Sequence, residues 1–516
     1  MASKTFVPTP PEQGWDFVRT LYRDRAGTLW IGSNSAGLFR ERDGVIEGTG
    51  ARETAGDLTI LSLFEDREGS LWIGTFSAGI SRLRDTPFSH VSRTNGLPTD
   101  NVRCVAADHR GVMWLGLASG GLVELAPGGL RIYTARDGLP SETVHAILPA
   151  SDTSLWIGTE KGVSRLENGR FENYSTRDGL AHESIRALHQ DPDGSIWIGT
   201  KGGGISVLRE GRFTTYTIDD GLPANIVRWF HRDKKGVLWV ATELGLARFD
   251  GTRFEEIASP DPANRAYVFN IHEDERGVLW IGSYGNGLLR YGAGRMDEIG
   301  IEAGLPDETI YAVLEDDAGT LWMSANRGIF GVRKENIESY LRGETKQVAY
   351  RLFTSENGLR ATECNGGSQP AAWKAQDGHL WFASNGGAAI LEPMDILEHE
   401  PAPEIAIESL AVDGSPVALV DALSIPPGKR EVDIGHTGFH LKDPRSVSFR
   451  YKLDEYTTEW VEAGPRRNAT FTNLPPGKYT FLVEARRRTR DRGAPSPRGS
   501  TCASSRISTR APRSRP

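Results

Sequence analysis

Arg19, Leu61, Arg103, His145, Arg186, Arg228, Phe269 and Tyr311 occupy one address in a segment that recurs along this chain, when the copies are aligned on the acidic turn that follows each of them. Four Arg, one His and one Tyr at a single address would project a ring of hydrogen-bond donors. Guanidinium groups fork onto carboxylates and hydroxyls, so the pattern predicts a collar that binds an anion or a sugar. The competing reading pairs each Arg with an Asp or Glu of the neighbouring copy. Tyr284, Asn286, Asn326 and Arg327 depart from the repeat in its loops and are further candidates for ligand contact. Otherwise they cap those loops.

Other chemistry is harder to assemble from these residues. The turns Asp191-Pro-Asp-Gly and Glu315-Asp-Asp-Ala-Gly could suggest calcium. Asp and Gly form turns unaided, however, and the ligating Glu of a calcium loop is missing at the required spacing. There is no HExxH, no GxSxG in a strand-turn-helix setting and no P-loop, so no catalytic residue, metal or cofactor is expected. His109, His145, His182, His189 and His231 fall at scattered positions and read as packed or surface residues. The motifs of a kinase are absent too.

The elements that would hold the collar follow from the period. Tryptophans at Trp30, Trp72, Trp114, Trp156, Trp197, Trp239, Trp280, Trp322 and Trp381 are spaced 42, 42, 42, 41, 42, 41, 42 and 59 residues apart. A repeat near 42 without a helical pattern is the length of a four-stranded propeller blade. Within one copy, strands are expected at Ile185-Arg-Ala-Leu-His, Ser195-Ile-Trp-Ile-Gly-Thr, Ile205-Ser-Val-Leu and Phe213-Thr-Thr-Tyr-Thr. Turns separate them, and Asn168-Gly169 marks the matching hairpin one copy earlier. Ile-Trp-Ile is apolar on consecutive residues, so both faces of that strand must be covered. Burying one Trp removes roughly 150–250 Å² from water, on the order of 4–6 kcal/mol before entropy. One copy cannot cover its own faces, so copies must stack until a ring closes. Propellers have four to eight blades, and nine motifs are present. Either one large ring forms, or the last seven copies close a ring and the two at Trp30 and Trp72 are left over; the second reading is preferred.

The combination LWIGT, GGL, an aromatic strand and DGLP, seen at Asp137-Gly-Leu-Pro, Asp178-Gly-Leu and Asp220-Gly-Leu-Pro, resembles the two-component regulator propeller repeats of bacterial sensor proteins. The resemblance covers about residues 18–395, after a short N-terminal extension, 1–17. Glu363-Cys-Asn-Gly-Gly through Asp377-Gly-His-Leu-Trp-Phe is similar to that family's divergent closing blade. Beyond a Pro- and acid-rich joint at 392–403, residues 404–485 resemble the triple-tyrosine domain, an immunoglobulin-like β-sandwich. Tyr451 and Tyr479 match its tyrosines and Phe471 stands where a third is common; all three are expected in the core. The resemblance implies a periplasmic sensor, with relatives anchored in the membrane and joined to a histidine kinase or diguanylate cyclase. It implies an unknown small molecule or oligosaccharide as ligand, and signalling by repacking of two protomers, possible through the sandwich.

Composition sets the remaining bounds. With 59 Gly and 28 Pro in 516 residues, turns should outnumber helices and the fold class should be all-β. The net charge is −8; residues 486–516 hold ten Arg and one Asp, leaving −17 on the rest. So acidic a body argues against nucleic acid as partner. Cys104, Cys364 and Cys502 are too few and scattered for a disulfide framework. No signal peptide or membrane span is recognisable. The tail 486–516 reads as disordered, through a frameshift or truncation, or as a basic segment for anionic lipid or nucleic acid. A ligand-sensing region is thus expected, with a propeller lyase or glycosidase and a protein-interaction scaffold as alternatives.

Overall fold

The computed structural model describes residues 17–42, 44–48, 59–126, 128–259, 265–393, 403–419, 422–425, 431–441, 444, 447–457, 459–475, 477–487 and 501–509. Most of the expected N-terminal extension, of the joint at 392–403 and of the basic tail lies outside them. The chain divides into two compact units, one built on residues 87–400 and the other on 1–86 together with 401–488 and 497–516.

Seven four-stranded antiparallel sheets make up the first unit. Six are formed by consecutive strands, over 102–133, 144–174, 185–216, 227–257, 267–299 and 310–353. The seventh takes Ala372–Lys374, Leu380–Ser384 and Gly387–Leu391, and its fourth strand is Phe88–Val91 from the opposite end of the unit, with Leu391 against Phe88 and Ala388 against Val91. First strands pack on first strands around the circle, and the seventh sheet packs on Val102–Ala107. The ring is therefore a closed propeller of seven blades, and a circle leaves no blade with an uncovered face.

The LWIGT strand shows why stacking is obligatory. All five residues of Leu155–Thr159 are buried. A Cβ on Gly158 would come 2.7 Å from Ile185 Cγ2 of the next blade and 3.0 Å from Ala146 Cβ, so only glycine allows this approach. The turn acids serve the same strand. Asp316 Oδ1 accepts the N–H of Ala318 and Thr320, and its Oδ2 accepts the indole N–H of Trp322 at 2.7 Å. Asp108, Asp233 and Asp274 bond Trp114, Trp239 and Trp280 in the same way. At DGL, a short turn is capped by a Ser or Thr and the Asp three residues on, as in Ser175 with Asp178, and Gly179 follows at φ +107°. Leu180 then drops into the core. Among the described residues one α-helix, Lys334–Leu341, interrupts the strands and buries Ile337.

The nine repeats read over 18–395 thus divide, since only seven belong to the ring. The two leading sheets, Val18–Gly48 with four strands and Ile60–Leu83 with three, lie in the second unit. The rest of that unit is a sandwich. One sheet runs Ser415–Val417, Glu404–Val412, Glu431–Phe439, Asn468–Thr472. The other runs Ala422–Ile425, Thr501–Thr509, Gly477–Arg487, Val447–Asp454, Val461–Gly464. Tyr451, Phe471 and Tyr479 are all buried in its core, and the Tyr479 hydroxyl donates to Pro475 O at 2.8 Å. Residues 501–509 correct the expectation of a disordered tail. They pair antiparallel with Gly477–Arg487 and parallel with Ala422–Ile425. Backbone pairing along an open strand edge is indifferent to the Ser- and Arg-rich composition that suggested disorder.

Candidate functional site

The first strands of the blades line the central channel, and at one mouth the second residues of five of them meet Phe269, third in Tyr267–Glu273. Arg103, His145, Arg186, Arg228, Phe269 and Tyr311 stand there, while Arg19 and Leu61 belong to the other unit. His145 and Arg186 are buried, Arg103, Arg228 and Tyr311 half-buried. Arg186 Nη1 lies 2.7 Å from His145 Nδ1, and His145 Nε2 lies 2.6 Å from Glu160 Oε2. Arg186 Nη1 also lies 2.9 Å from Nε2, so the tautomer is set by Glu160: a carboxylate only accepts, which puts the proton on Nε2 and leaves the Nδ1 lone pair to Arg186. Burial, then the Arg186 charge, holds His145 well below the usual histidine range, so this imidazole is neutral. Glu160 also accepts from Ser184 Oγ at 3.1 Å and Arg186 Nη2 at 3.4 Å. Burial opposes its ionisation, yet these partners keep it lowered.

The cations outnumber their partners. Burial brings the Arg186 guanidinium down to about 10, with Arg228 and Arg103 pushing the same way against Glu160. Arg228 donates to Gly367 O at 3.3 Å and lies over the Tyr267 ring, 5.3 Å from its centroid. The Nε atoms of Arg103, Arg186 and Arg228 are all buried without a hydrogen-bond partner. Among the described residues, Glu160 is the only carboxylate bonded to these three guanidiniums. The reading in which each Arg pairs with a neighbouring acid thus holds for Arg186 alone.

The channel beneath the mouth is filled by Asn365–Pro370, ahead of the seventh blade. Gly366 lies under Tyr311, where a Cβ would fall 1.9 Å from its ring. Gln369 is the centre of the plug. Its N–H donates to His145 O at 3.1 Å and its C=O accepts from Ile147 N at 2.9 Å. Its side-chain oxygen accepts from Leu188 N and its NH2 donates to Phe230 O, both at 3.2 Å. Pro370 O accepts from Val105 N at 2.9 Å. Sequence reasoning missed this plug, together with Glu160 and Tyr267. The Gly366-Gly367 pair in the one divergent copy was the available signal.

The other candidates separate. Tyr284 and Arg327 line a cavity of about 280 Å³ with Asp307 and Glu308. Asn326 accepts the Tyr311 hydroxyl at 2.7 Å. Asn286 is buried, its NH2 donates to Glu298 of the strand Arg295–Ile299 at 3.3 Å, and its oxygen has no hydrogen-bond partner among the described residues.

Comparison with known proteins agrees with this architecture. The two component regulator propeller model matches residues 13–35, 55–77, 138–161, 179–202, 221–243, 262–285 and 304–327, and the Y_Y_Y domain model matches 440–495. Among solved structures, the extracellular domain of the hybrid two component system BT3049 from B. thetaiotaomicron is similar at 21% identity and TM-score 0.78, covering 96% of this chain and 68% of that one. The corresponding domain of BT4673 from the same organism is similar at 17% identity and TM-score 0.50, covering 96% and 69%. No curated protein matches the chain. No described helix is long and apolar enough to cross a membrane.

Proposed function

Because this chain carries two component regulator propeller repeats followed by a Y_Y_Y domain, we propose that it is the ligand-sensing region of a bacterial signalling protein, working outside the cytoplasm. The ligand is an anion, bound at the arginine mouth of the ring. The observation that carries this reading is the imbalance at that mouth, three guanidiniums against one bonded carboxylate. Like charges gathered in a half-buried site repel, and an arriving carboxylate or sulfate relieves that repulsion while forking onto them. Arg228 is the contact through which binding reaches the plug, since it donates to Gly367 O. A bound anion competes with that carbonyl, so the signal leaves as a shift of Asn365–Pro370 and of the blades it touches. The reading of the solved relatives as extracellular domains supports the location.

The test is calorimetric titration with a panel of uronates, sulfated sugars and organic acids, each also assayed for cleavage. A binder that is not turned over is expected, with affinity reduced about tenfold or more in Arg103→Gln and Arg228→Gln. Unchanged affinity in both variants would retire the collar. Turnover of a panel member would transfer the reading to a lyase or glycosidase.

A further inference from the structure

The channel has a second mouth, where the first strands of the blades end, and it opens on a cavity of about 550 Å³. That volume lies in the range of small-molecule sites. The plug forms part of its wall through Gln369 and Pro370, so it lies across that segment from the arginine mouth. Trp229, Trp373, Leu148 and Leu314 supply apolar surface to the wall.

Its polar groups are unequal. The carboxylate of Asp108 is fully engaged: one oxygen accepts from the N–H of Arg110 and Val112, the other from the Arg110 guanidinium and the Trp114 indole. His272 Nε2 is held by Glu315 at 3.2 Å. Gln376 offers an amide with both donor and acceptor, and most of the other groups left over are donors. Neither Trp229 nor Trp373 has an acceptor for its indole N–H among the described residues. Asn270 is only 3% exposed, and its oxygen takes the Val313 N–H at 2.8 Å, which leaves its NH2 to the cavity. Lys374 pairs with Asp317, whose side chain is 88% exposed. A pair so open to water holds its partners weakly and exchanges readily.

Unpaired donors and one exchangeable ammonium, with no free carboxylate facing them, select a ligand that brings acceptors and negative charge. Indole and leucine walls select a flat apolar body. We infer that this second mouth is a binding site of its own, for an aromatic carboxylate. The carboxylate takes the Lys374 ammonium from Asp317 and the ring rests against Trp373.

The experiment is calorimetric titration of the whole chain with benzoate, and with benzyl alcohol, which has the same ring without the charge. Saturable benzoate binding is expected, with benzyl alcohol weaker by about tenfold or more. Lys374→Gln, at an exposed position, and Trp373→Leu, at a half-buried one, should each weaken benzoate by about tenfold. In the Arg103→Gln variant, where the arginine mouth is disabled, saturable benzoate binding should persist and keep its dependence on Lys374 and Trp373, which keeps this site distinct from that mouth. The inference is overturned by the absence of saturable benzoate binding, by benzoate affinity that is indifferent to both Lys374→Gln and Trp373→Leu, or by a loss that follows Arg103→Gln instead.

Discussion

Replacing Gln369 by Ala tests the claim that one side chain braces the ring from its axis. The substitution leaves the two backbone hydrogen bonds to His145 and Ile147 in place and removes the two made by the amide, to Leu188 N and Phe230 O. Leu188 and Phe230 are each 2% exposed, so the orphaned N–H and C=O can reach water only through the space the side chain vacates. Leaving a buried polar group unsatisfied costs about 1–3 kcal/mol, so the pair should remove about 2–6 kcal/mol. Against a domain stability of about 5–15 kcal/mol, that is a large fraction. Urea unfolding followed by tryptophan fluorescence reads it directly, because seven of the nine repeat indoles sit in the ring. Gln369→Glu sharpens the test. Its ionised carboxylate keeps an acceptor for Leu188 but sets an oxygen against the Phe230 carbonyl, whereas the protonated acid can donate there. Relative to Gln369→Ala it should therefore gain stability as pH falls. A loss below about 1 kcal/mol in Gln369→Ala would refute the bracing argument.

Two further outcomes follow from the blades themselves. Gly158→Ala would place a Cβ 2.7 Å from Ile185 Cγ2 and force neighbouring blades apart; a loss of about 1–3 kcal/mol in the same urea assay is expected, and a neutral result would contradict the close approach. Burial lowers the pKa of His231 and His272 against the pull of Glu273 and Glu315, and lowers that of His90 to about 4 with Arg360 adding to the effect. In the unfolded chain these groups return to about 6.5, so the unfolded state binds the extra protons first as pH falls. Their contribution is complete above about pH 6.5 and is lost on the way down toward the folded values. The urea midpoint should drop between pH 7.5 and pH 5, and His231→Gln with His272→Gln should flatten that slope.

How much of this was legible beforehand depends on whether a contact repeats. The strand order within a blade, the double-faced burial of LWIGT and the common address of Arg103, His145, Arg186 and Arg228 recur at a fixed period. Each copy therefore testifies to the others, and the alignment alone placed the collar residues at one mouth. The turn acids were visible too, but their use was not: Asp316 is committed to Trp322 and its own loop rather than to a metal.

What the amino-acid order determined by itself was the blade, because a blade is made of neighbours in the chain whose pattern of apolar, glycine and turn residues leaves them one compact arrangement. What only the tertiary structure decided was everything made once. Phe88–Val91 completes the last blade from the far end of the unit. Asn365–Pro370 enters the channel, Glu160 takes the neutral His145, and Thr501–Thr509 joins the sandwich by its backbone. Contacts between distant segments form no period to read. They depend on where the closing of the ring brings those segments, and on which buried donors and acceptors are still unpaired when it does.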